Sequence, residues 1–160
     1  MGKKLKIYLD TSVINFLFAD DAPEKKEITI DFFENYLDDY DVYISDIVFN
    51  EINKTNNEVK KIKLLDSIKY YNIKIFAEVV EEIINLSEIY IQQNIVPKNK
   101  EEDALHLAFA TYYEFDCLLS WNFKHLANLR KQEQVNIVNL QHGYRKQLIM
   151  TNPMEVIYDK

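Results

Sequence analysis

The spacing of apolar residues along the chain changes repeatedly between a strand period and a helix period. Segments that alternate polar and apolar residues, or that are apolar throughout, predict strands over residues 4–9, 41–45, 73–76, 117–120 and 135–138. Segments with apolar residues three and four positions apart predict helices over residues 12–18, 24–37, 47–54, 58–70, 79–94, 100–115 and 123–131. Because strands and helices alternate, the sequence predicts an α/β fold with a mainly parallel sheet.

The length and composition of the chain set the scale of the fold. It has 160 residues, of which 48% are apolar. A chain of this length is typical of one domain and buries roughly 70% of its unfolded surface. The plentiful aromatic and β-branched residues exclude general disorder. We therefore expect a single domain over residues 1–160.

The counts of three residue types exclude several kinds of functional site. Gly2 and Gly143 are the only glycines, which excludes a glycine-rich phosphate loop and a dinucleotide fingerprint. Cys117 is the only cysteine, so neither an intrachain disulfide nor a cysteine zinc site can form. The three histidines are far apart, and no H-E-x-x-H pair occurs.

The charge balance restricts the partners of the protein. There are 26 acidic and 19 basic residues, which gives a net charge of −7. Such a chain binds nucleic acid poorly unless carboxylates and a metal ion invert the charge locally. Lys60, Lys61 and Lys63 form either a solvated helix face or a basic patch. No apolar run is long enough to span a membrane and no signal-peptide core occurs, so we expect a cytoplasmic protein.

Polar side chains follow three of the predicted strands. Asp10, Asp46 and Asn122 come directly after a strand or within two residues of one. In open α/β sheets, ligands bind beyond the carboxyl ends of the strands. Asp46 is also a candidate helix N-cap, as are Ser45, Thr11 and Ser12. The strand ends are therefore the first place where we expect chemistry.

Two further carboxylates lie on apolar helix faces, where an uncompensated charge is costly. Glu51 follows Ile47 and Val48 by one helical turn, and Asp103 begins the most apolar helix. A fold that brings these two residues to Asp10 would place three carboxylates together, and they would repel one another. A hard divalent cation such as Mg²⁺ or Mn²⁺ removes that repulsion and can activate water.

Four segments resemble the motifs of the PIN-domain family, in the order in which that family carries them. They are YLDTSVI at residues 8–14, SDIVFNEI at 45–52, EEDALHLAFA at 101–110 and LLSWNFKHL at 118–126. The closing NPMEVI at residues 152–157 is similar to the tail of many bacterial members. Together the motifs span nearly the whole chain.

The resemblance implies a three-layer α/β/α fold and a Mg²⁺- or Mn²⁺-dependent endoribonuclease. It implies the toxin component of a toxin–antitoxin pair, with RNA as substrate, a possible antitoxin protein as partner, and a homodimer as the assembly. On this hypothesis Asp10, Glu51 and Asp103 bind the metal and act in catalysis together with Asn122. The substrate phosphodiester would be hydrolysed by metal-activated water.

Asn122 departs from the family pattern, because many active members have Asp at this position. An amide keeps a carbonyl oxygen but loses a charge. A second hypothesis therefore stays open, in which the chain is a nuclease-inactive module that binds RNA or protein. A phosphotransferase of the haloacid dehalogenase type is disfavoured, because Ser12 stands where that chemistry needs a second Asp.

Four other residues near the motifs have two interpretations each. Ser12 either contacts substrate or caps a helix, and Trp121 either stacks on a base or packs in the core. His125 is a weak candidate for substrate contact. His106 is interpreted as a core histidine with satisfied hydrogen bonds, because its helix is apolar nearly all round.

Overall fold

The computed structural model describes residues 2–160, and its centre is a five-stranded sheet in which every strand pair is parallel. The strands are β1 (Lys6–Leu9), β2 (Asp41–Ile44), β3 (Lys74–Ile75), β4 (Cys117–Leu119) and β5 (Ile149–Thr151). Their order across the sheet is β3-β2-β1-β4-β5. This arrangement confirms the predicted α/β class with a parallel sheet.

Seven α-helices and three short 3-10 helices connect the strands of the described residues. The α-helices are α1 (Thr11–Asn15), α2 (Pro23–Asn35), α3 (Asp46–Asn53), α4 (Glu58–Tyr70), α5 (Glu81–Gln92), α6 (Glu101–Tyr112) and α7 (Leu129–Gln141). The 3-10 helices are Phe16–Phe18, Leu37–Asp39 and Pro153–Val156. Six of the predicted helices correspond to α1–α6, with ends that differ by a few residues.

Apolar cores on both faces of the sheet confirm the three-layer arrangement. Successive residues of a strand point to opposite faces. On one face, Tyr8 and Leu118 pack against α5, α6 and α7; on the other, Leu9 and Leu119 pack with α1 to α4. β4 is buried along its whole length, which explains why it is apolar throughout.

Two predictions for the last third of the chain are wrong. The helix predicted over residues 123–131 does not form as such, because only residues 129–131 are helical and they begin α7. Residues 135–138 are not a strand but the middle of α7. Val135 and Val138 are one helical turn apart and both are buried, so they form the inner face of that helix. Asn128 caps it by accepting a hydrogen bond from the Lys131 amide at 3.1 Å. The fifth strand is β5, which the sequence pattern did not predict.

The order of the strands creates a crevice at one position. From β1 the chain builds the sheet outward through β2 and β3, and later returns to add β4 and β5 on the other side. At such a reversal, the connections that follow the two neighbouring strands run to opposite faces of the sheet. The crevice that this leaves between them is where ligands bind in open α/β sheets. The crevice lies at the carboxyl ends of β1 and β4. Among residues 2–160, no helix is long and apolar enough to cross a membrane.

Candidate active site

Asp10 occupies the centre of the crevice. It follows β1 directly, and its amide donates to the Leu119 carbonyl at 3.2 Å, which extends the pairing of β1 with β4. Its side chain is 3% exposed and is the N-cap of α1, accepting from the Val13 amide. The predicted caps Thr11 and Ser12 do not perform this role. Asp10 therefore combines the helix-capping interpretation with a position at the candidate site.

Two hydroxyl groups hold the Asp10 carboxylate from opposite sides. Ser12 Oγ donates to Oδ1 at 2.6 Å, and Ser120 Oγ donates to Oδ2 at 2.6 Å. The two hydroxyls also accept from the loop after β4: Ser12 from the Trp121 amide and Ser120 from the Asn122 amide. Ser120 was not predicted as a site residue, because only the pairing of β1 with β4 brings it to Asp10.

Glu51 reaches the same region from α3. The N-cap of α3 is Ser45 rather than Asp46, which is exposed in the first turn. One oxygen of the Glu51 carboxylate, Oε1, accepts from Thr11 Oγ1 at 2.7 Å and lies 2.5 Å from His106 Nε2. Burial raises the Glu51 pKa, but the hydrogen bond and charge of His106 and the bond from Thr11 outweigh it, so the pKa is lowered.

His106 is buried and contacts other residues of the site through both of its ring nitrogens. Its Nε2 contacts Glu51, and its Nδ1 lies 2.6 Å from the Tyr8 hydroxyl, which in turn lies 2.6 Å from Ser45 Oγ. Both ring nitrogens are therefore satisfied, as the core interpretation expects. The sequence pattern did not predict its contact with a candidate catalytic residue. A usable signal existed, since His106 is one helical turn after Asp103 and shares its face.

Asp103 lies in the first turn of α6, next to Asn122. The Asn122 side-chain nitrogen donates to Asp103 Oδ2 at 3.1 Å. Its side-chain oxygen accepts from the amides of Lys124 and His125, and this fixes the orientation of the amide group. The neighbouring Glu102 instead points outward and pairs with Lys54 at 3.2 Å. Asn122 thus offers its nitrogen, not its oxygen, to the carboxylate.

Electrostatic coupling shows that the three predicted carboxylates share one region. Burial raises the pKa of Asp10, and the charge of Asp103 raises it further. Burial also raises the pKa of Asp103, and Glu51 adds to the rise. Burial by itself lowers the pKa of His106, but Glu51, Asp10 and Asp103 together raise it above its ordinary value. The imidazole thus lies within the field of all three acids.

The weaker substrate candidates differ in accessibility. Trp121 is buried, its Nε1 donates to Thr29 Oγ1 at 2.9 Å, and its ring packs near Phe16. These contacts favour the packing interpretation over stacking on a base. The Ser12 hydroxyl donates to Asp10 and accepts from the Trp121 amide. His125 lies beside the site, on the loop that Asn122 organises.

The donor set of the site fits a hard divalent cation chemically. It consists of carboxylate oxygens, which Mg²⁺ and Mn²⁺ prefer. Two of those carboxylates, Asp10 and Asp103, have raised pKa values, because burial and a neighbouring carboxylate disfavour their ionised forms. Hydrogen bonds from described residues reach one oxygen each of Glu51 and Asp103, so a second oxygen on each is free of protein donors. Within residues 2–160, however, no three acidic, His or Cys side chains are already arranged to hold a metal ion.

Comparison with known protein families gives a match that covers the candidate site. A family model described as PIN domain matches residues 7–130, which is more than half of the chain and contains all of the predicted site residues. No curated protein and no solved structure matches the chain.

Proposed function

Because the chain belongs to the PIN domain family, whose members are generally nucleases that use divalent metals, we propose that it is a Mg²⁺- or Mn²⁺-dependent endoribonuclease. The observation that carries the proposal is the hydrogen-bond network at the β1–β4 crevice, in which Ser120 bonds both Asp10 and the Asn122 amide and the Asn122 side chain bonds Asp103. Thr11, the residue after Asp10, bonds Glu51. These carboxylates come from a strand end and two separate helices. Placing charges that repel one another in a partly buried region costs free energy, and a purely structural role for these carboxylates would not require that cost.

In this proposal Asp10, Glu51 and Asp103 hold the metal ion. A bound divalent ion supplies an activated water at neutral pH and neutralises charge on the phosphoryl group. The remaining residues orient the carboxylates. Ser12 and Ser120 fix Asp10 from two sides, and this removes its rotational freedom. Preformed geometry of this kind lowers the reorganisation needed in the transition state.

The other two carboxylates are oriented by different donors. Thr11 and His106 restrain Glu51 through a single oxygen, which directs its other oxygen away from them. Asn122 donates to Asp103 and so offsets part of its charge. Since the ligands act jointly, loss of one is expected to be nearly as damaging as loss of two.

Cleavage of a structured RNA tests the proposal. Asp10→Ala, Glu51→Ala and Asp103→Ala are each expected to lose most Mn²⁺-dependent cleavage, and chelator is expected to stop the parent protein. Glu102→Ala is the matched control, because Glu102 adjoins Asp103 but pairs with Lys54 on the surface. Circular dichroism verifies folding. If Asp10→Ala and Asp103→Ala both cleave at the parent rate, the nuclease proposal fails.

A second candidate function is a nuclease-inactive module that binds RNA or protein. Two observations favour it: every predicted ligand already accepts a hydrogen bond from a protein group, and Asn122 brings no charge to the site. This candidate predicts RNA binding without cleavage in either Mn²⁺ or Mg²⁺. The same assay therefore decides between the two functions.

We further propose that the protein is a cytoplasmic toxin restrained by an antitoxin. The resemblance of its four motifs to the PIN-domain family, and of its NPMEVI segment to the tail of many bacterial members, supports this role. Induced expression of the parent chain is expected to arrest bacterial growth, and Asp10→Ala is expected to relieve the arrest. Growth that is unaffected by the parent would favour a solitary housekeeping nuclease.

We also propose a homodimer. Leu129, Ile137 and Leu140 form an exposed apolar stripe along α7, with exposed fractions of 79%, 51% and 62%. Burial of such a stripe against a second copy removes apolar surface from water. Sedimentation is expected to give a dimer, and Leu140→Glu is expected to give a monomer. A parent protein that sediments only as a monomer at high concentration contradicts the proposal.

A further inference from the structure

A cleft of about 400 Å³ combines apolar lining residues, among them Ile95 and Val96, with the basic residues Lys98, His125 and Lys131. The loop after α5 forms one wall, and His125 and Lys131 form the other. Lys98 stands at the edge of the loop. We use the term lysine cleft for this cavity together with the cations around it, which are Lys98, Lys100, Lys124, His125 and Lys131.

His125 has an unusual environment. It is 7% exposed, and its Nδ1 is the one buried side-chain nitrogen or oxygen in residues 2–160 that lacks a hydrogen-bond partner. A buried polar atom without a hydrogen-bond partner costs free energy, so its presence in a folded protein needs an explanation, such as a ligand that binds to it. His125 also contributes to the lining of the cleft, together with Lys98 and Lys131. Its backbone amide is held by Asn122, which ties its position to the carboxylate site.

The charge around this histidine has one sign. Burial lowers the pKa of His125, and the charges that lower it further are those of Lys124, Lys131 and Lys100. This local excess of cations stands out in a chain with a net charge of −7. Lys131 is held in place, because its Nζ donates to the Ile95 carbonyl at 2.7 Å across the cleft. The arrangement fits an anion.

Two residues link the lysine cleft to the candidate active site, Lys100 and Asn122. Lys100 lies one residue before α6, and its charge acts on both His125 and Asp103. Asn122 forms a second link, since it bonds Asp103 with its nitrogen and the His125 amide with its oxygen. An anion in the cleft and a phosphodiester at the carboxylates would therefore be neighbours along one extended ligand.

We propose that the lysine cleft binds a backbone phosphate of single-stranded RNA, next to the phosphodiester that the carboxylate site cleaves. In this subsite His125 Nδ1–H donates a hydrogen bond to a phosphate oxygen, and Lys98 and Lys131 neutralise its charge. The cleft thereby offsets the repulsion between RNA and an acidic protein. The proposal rests on the proposed nuclease function for its substrate class.

The test compares a long and a minimal substrate. Lys98→Gln/Lys131→Gln is expected to raise the KM for single-stranded RNA by about tenfold, which corresponds to about 1.4 kcal/mol, with kcat unchanged, because the variant lacks the two cations that neutralise the bound phosphate. Hydrolysis of bis(p-nitrophenyl) phosphate, which has no second phosphate to occupy the cleft, is expected to stay at the parent rate. Lys60→Gln/Lys63→Gln is the control, because it removes the same charge from α4.

His125→Phe separates a ligand role from a structural one. It removes the unpartnered nitrogen, so the variant is expected to be at least as stable as the parent by thermal melting. A phosphate donor predicts that the RNA KM nevertheless rises, whereas a purely structural histidine predicts an unchanged KM. An unchanged KM in both cleft variants, or an equal rise in the α4 control, overturns the proposal.

A binding assay distinguishes failure of this proposal from failure of the nuclease proposal. If the parent cleaves neither substrate, the nuclease proposal fails. Anisotropy of a labelled 2′-O-methyl RNA then tests the cleft alone: weaker binding by Lys98→Gln/Lys131→Gln than by the α4 control supports it, and equal binding refutes it. The log–log salt dependence of binding is expected to become shallower by about 0.7 for each phosphate that the variant no longer neutralises.

Discussion

His106 Nε2 lies 2.5 Å from Glu51 Oε1, inside a site where the imidazole is buried and the carboxylate is partly exposed. Because an ionised carboxylate only accepts hydrogen bonds, the Nε2–H of His106 is the donor. The Tyr8 hydroxyl contacts the other ring nitrogen and so fixes the ring orientation. His106 is therefore a positioning residue for Glu51, connected through Tyr8 to Ser45 at the start of α3.

Replacement of His106 tests this positioning role. His106→Ala is expected to lower kcat for RNA cleavage with little change in KM, and to destabilise the fold by about 2–4 kcal/mol through a cavity and an unpaired acid. His106→Gln is expected to retain more activity than His106→Asn, because the Gln amide nitrogen reaches the position of Nε2. Kinetics and thermal melting measure both effects. Equal kcat values for the Gln and Asn variants would contradict the role.

The orientation of the Asn122 amide makes a sharp prediction for Asn122→Asp. In metal-free buffer the variant is expected to melt below the parent, since a carboxylate would replace a donor that faces Asp103. In Mn²⁺ the difference is expected to disappear, and cleavage is expected to match or exceed that of the parent. Asn122→Ala, with no added charge, is expected to show a milder loss of activity. A variant with the same melting temperature with and without Mn²⁺ would argue against a metal beside residue 122.

Asp10→Asn is expected to stabilise the metal-free protein. Burial and Asp103 both penalise the ionised Asp10 carboxylate. The variant removes that charge, so in metal-free buffer it is expected to melt above the parent. Excess Mn²⁺, at about 100 times its Kd, is expected to stabilise the parent by about 2.7 kcal/mol and the variant much less. Glu102→Gln is the control, and calorimetry is the measurement.

The stabilisation by Asp10→Asn is expected to depend on pH in a defined direction. A carboxyl group whose folded pKa is raised carries no penalty below its unfolded pKa of about 3.9, and the penalty grows as pH rises toward the folded pKa. The difference in melting temperature between variant and parent should therefore be largest near neutral pH and shrink toward pH ~4. A difference that grows on acidification would reverse the assigned sign.

Cys117 is expected to be chemically inert in the folded protein. Burial in β4 raises its pKa to about 12, and the residue is 4% exposed. The thiolate is the reactive form, so alkylation at mildly alkaline pH should require unfolding. Mass spectrometry after iodoacetamide treatment is expected to show modification only in denaturant. Rapid labelling under native conditions would mean that β4 opens locally.

Local patterns in the sequence are sufficient for much of the fold. The alternation of strand and helix periods predicted the α/β class, because each period reflects how one segment buries its own apolar side. The same reasoning singled out Glu51 and Asp103, which are acids on apolar helix faces, and Asp10, which ends the first strand. These inferences need only the residues within a turn or two of each position. The family resemblance added the order of the four motifs.

The tertiary structure decided what depends on segments that are far apart in the chain. Only the pairing of β1 with β4 brings Ser120 onto Asp10, 110 residues away. Only the packing of α6 beside α3 makes His106 a partner of Glu51, and only the loop after β4 turns the Asn122 nitrogen toward Asp103. Residues 135–138 are apolar enough for a strand, yet they lie within α7, where Val135 and Val138 are buried together at the three-residue spacing of a helix face. The period of apolar residues shows which face of a single segment is buried. The interactions above depend on which segments lie next to each other, and only the packing of the whole chain determines that.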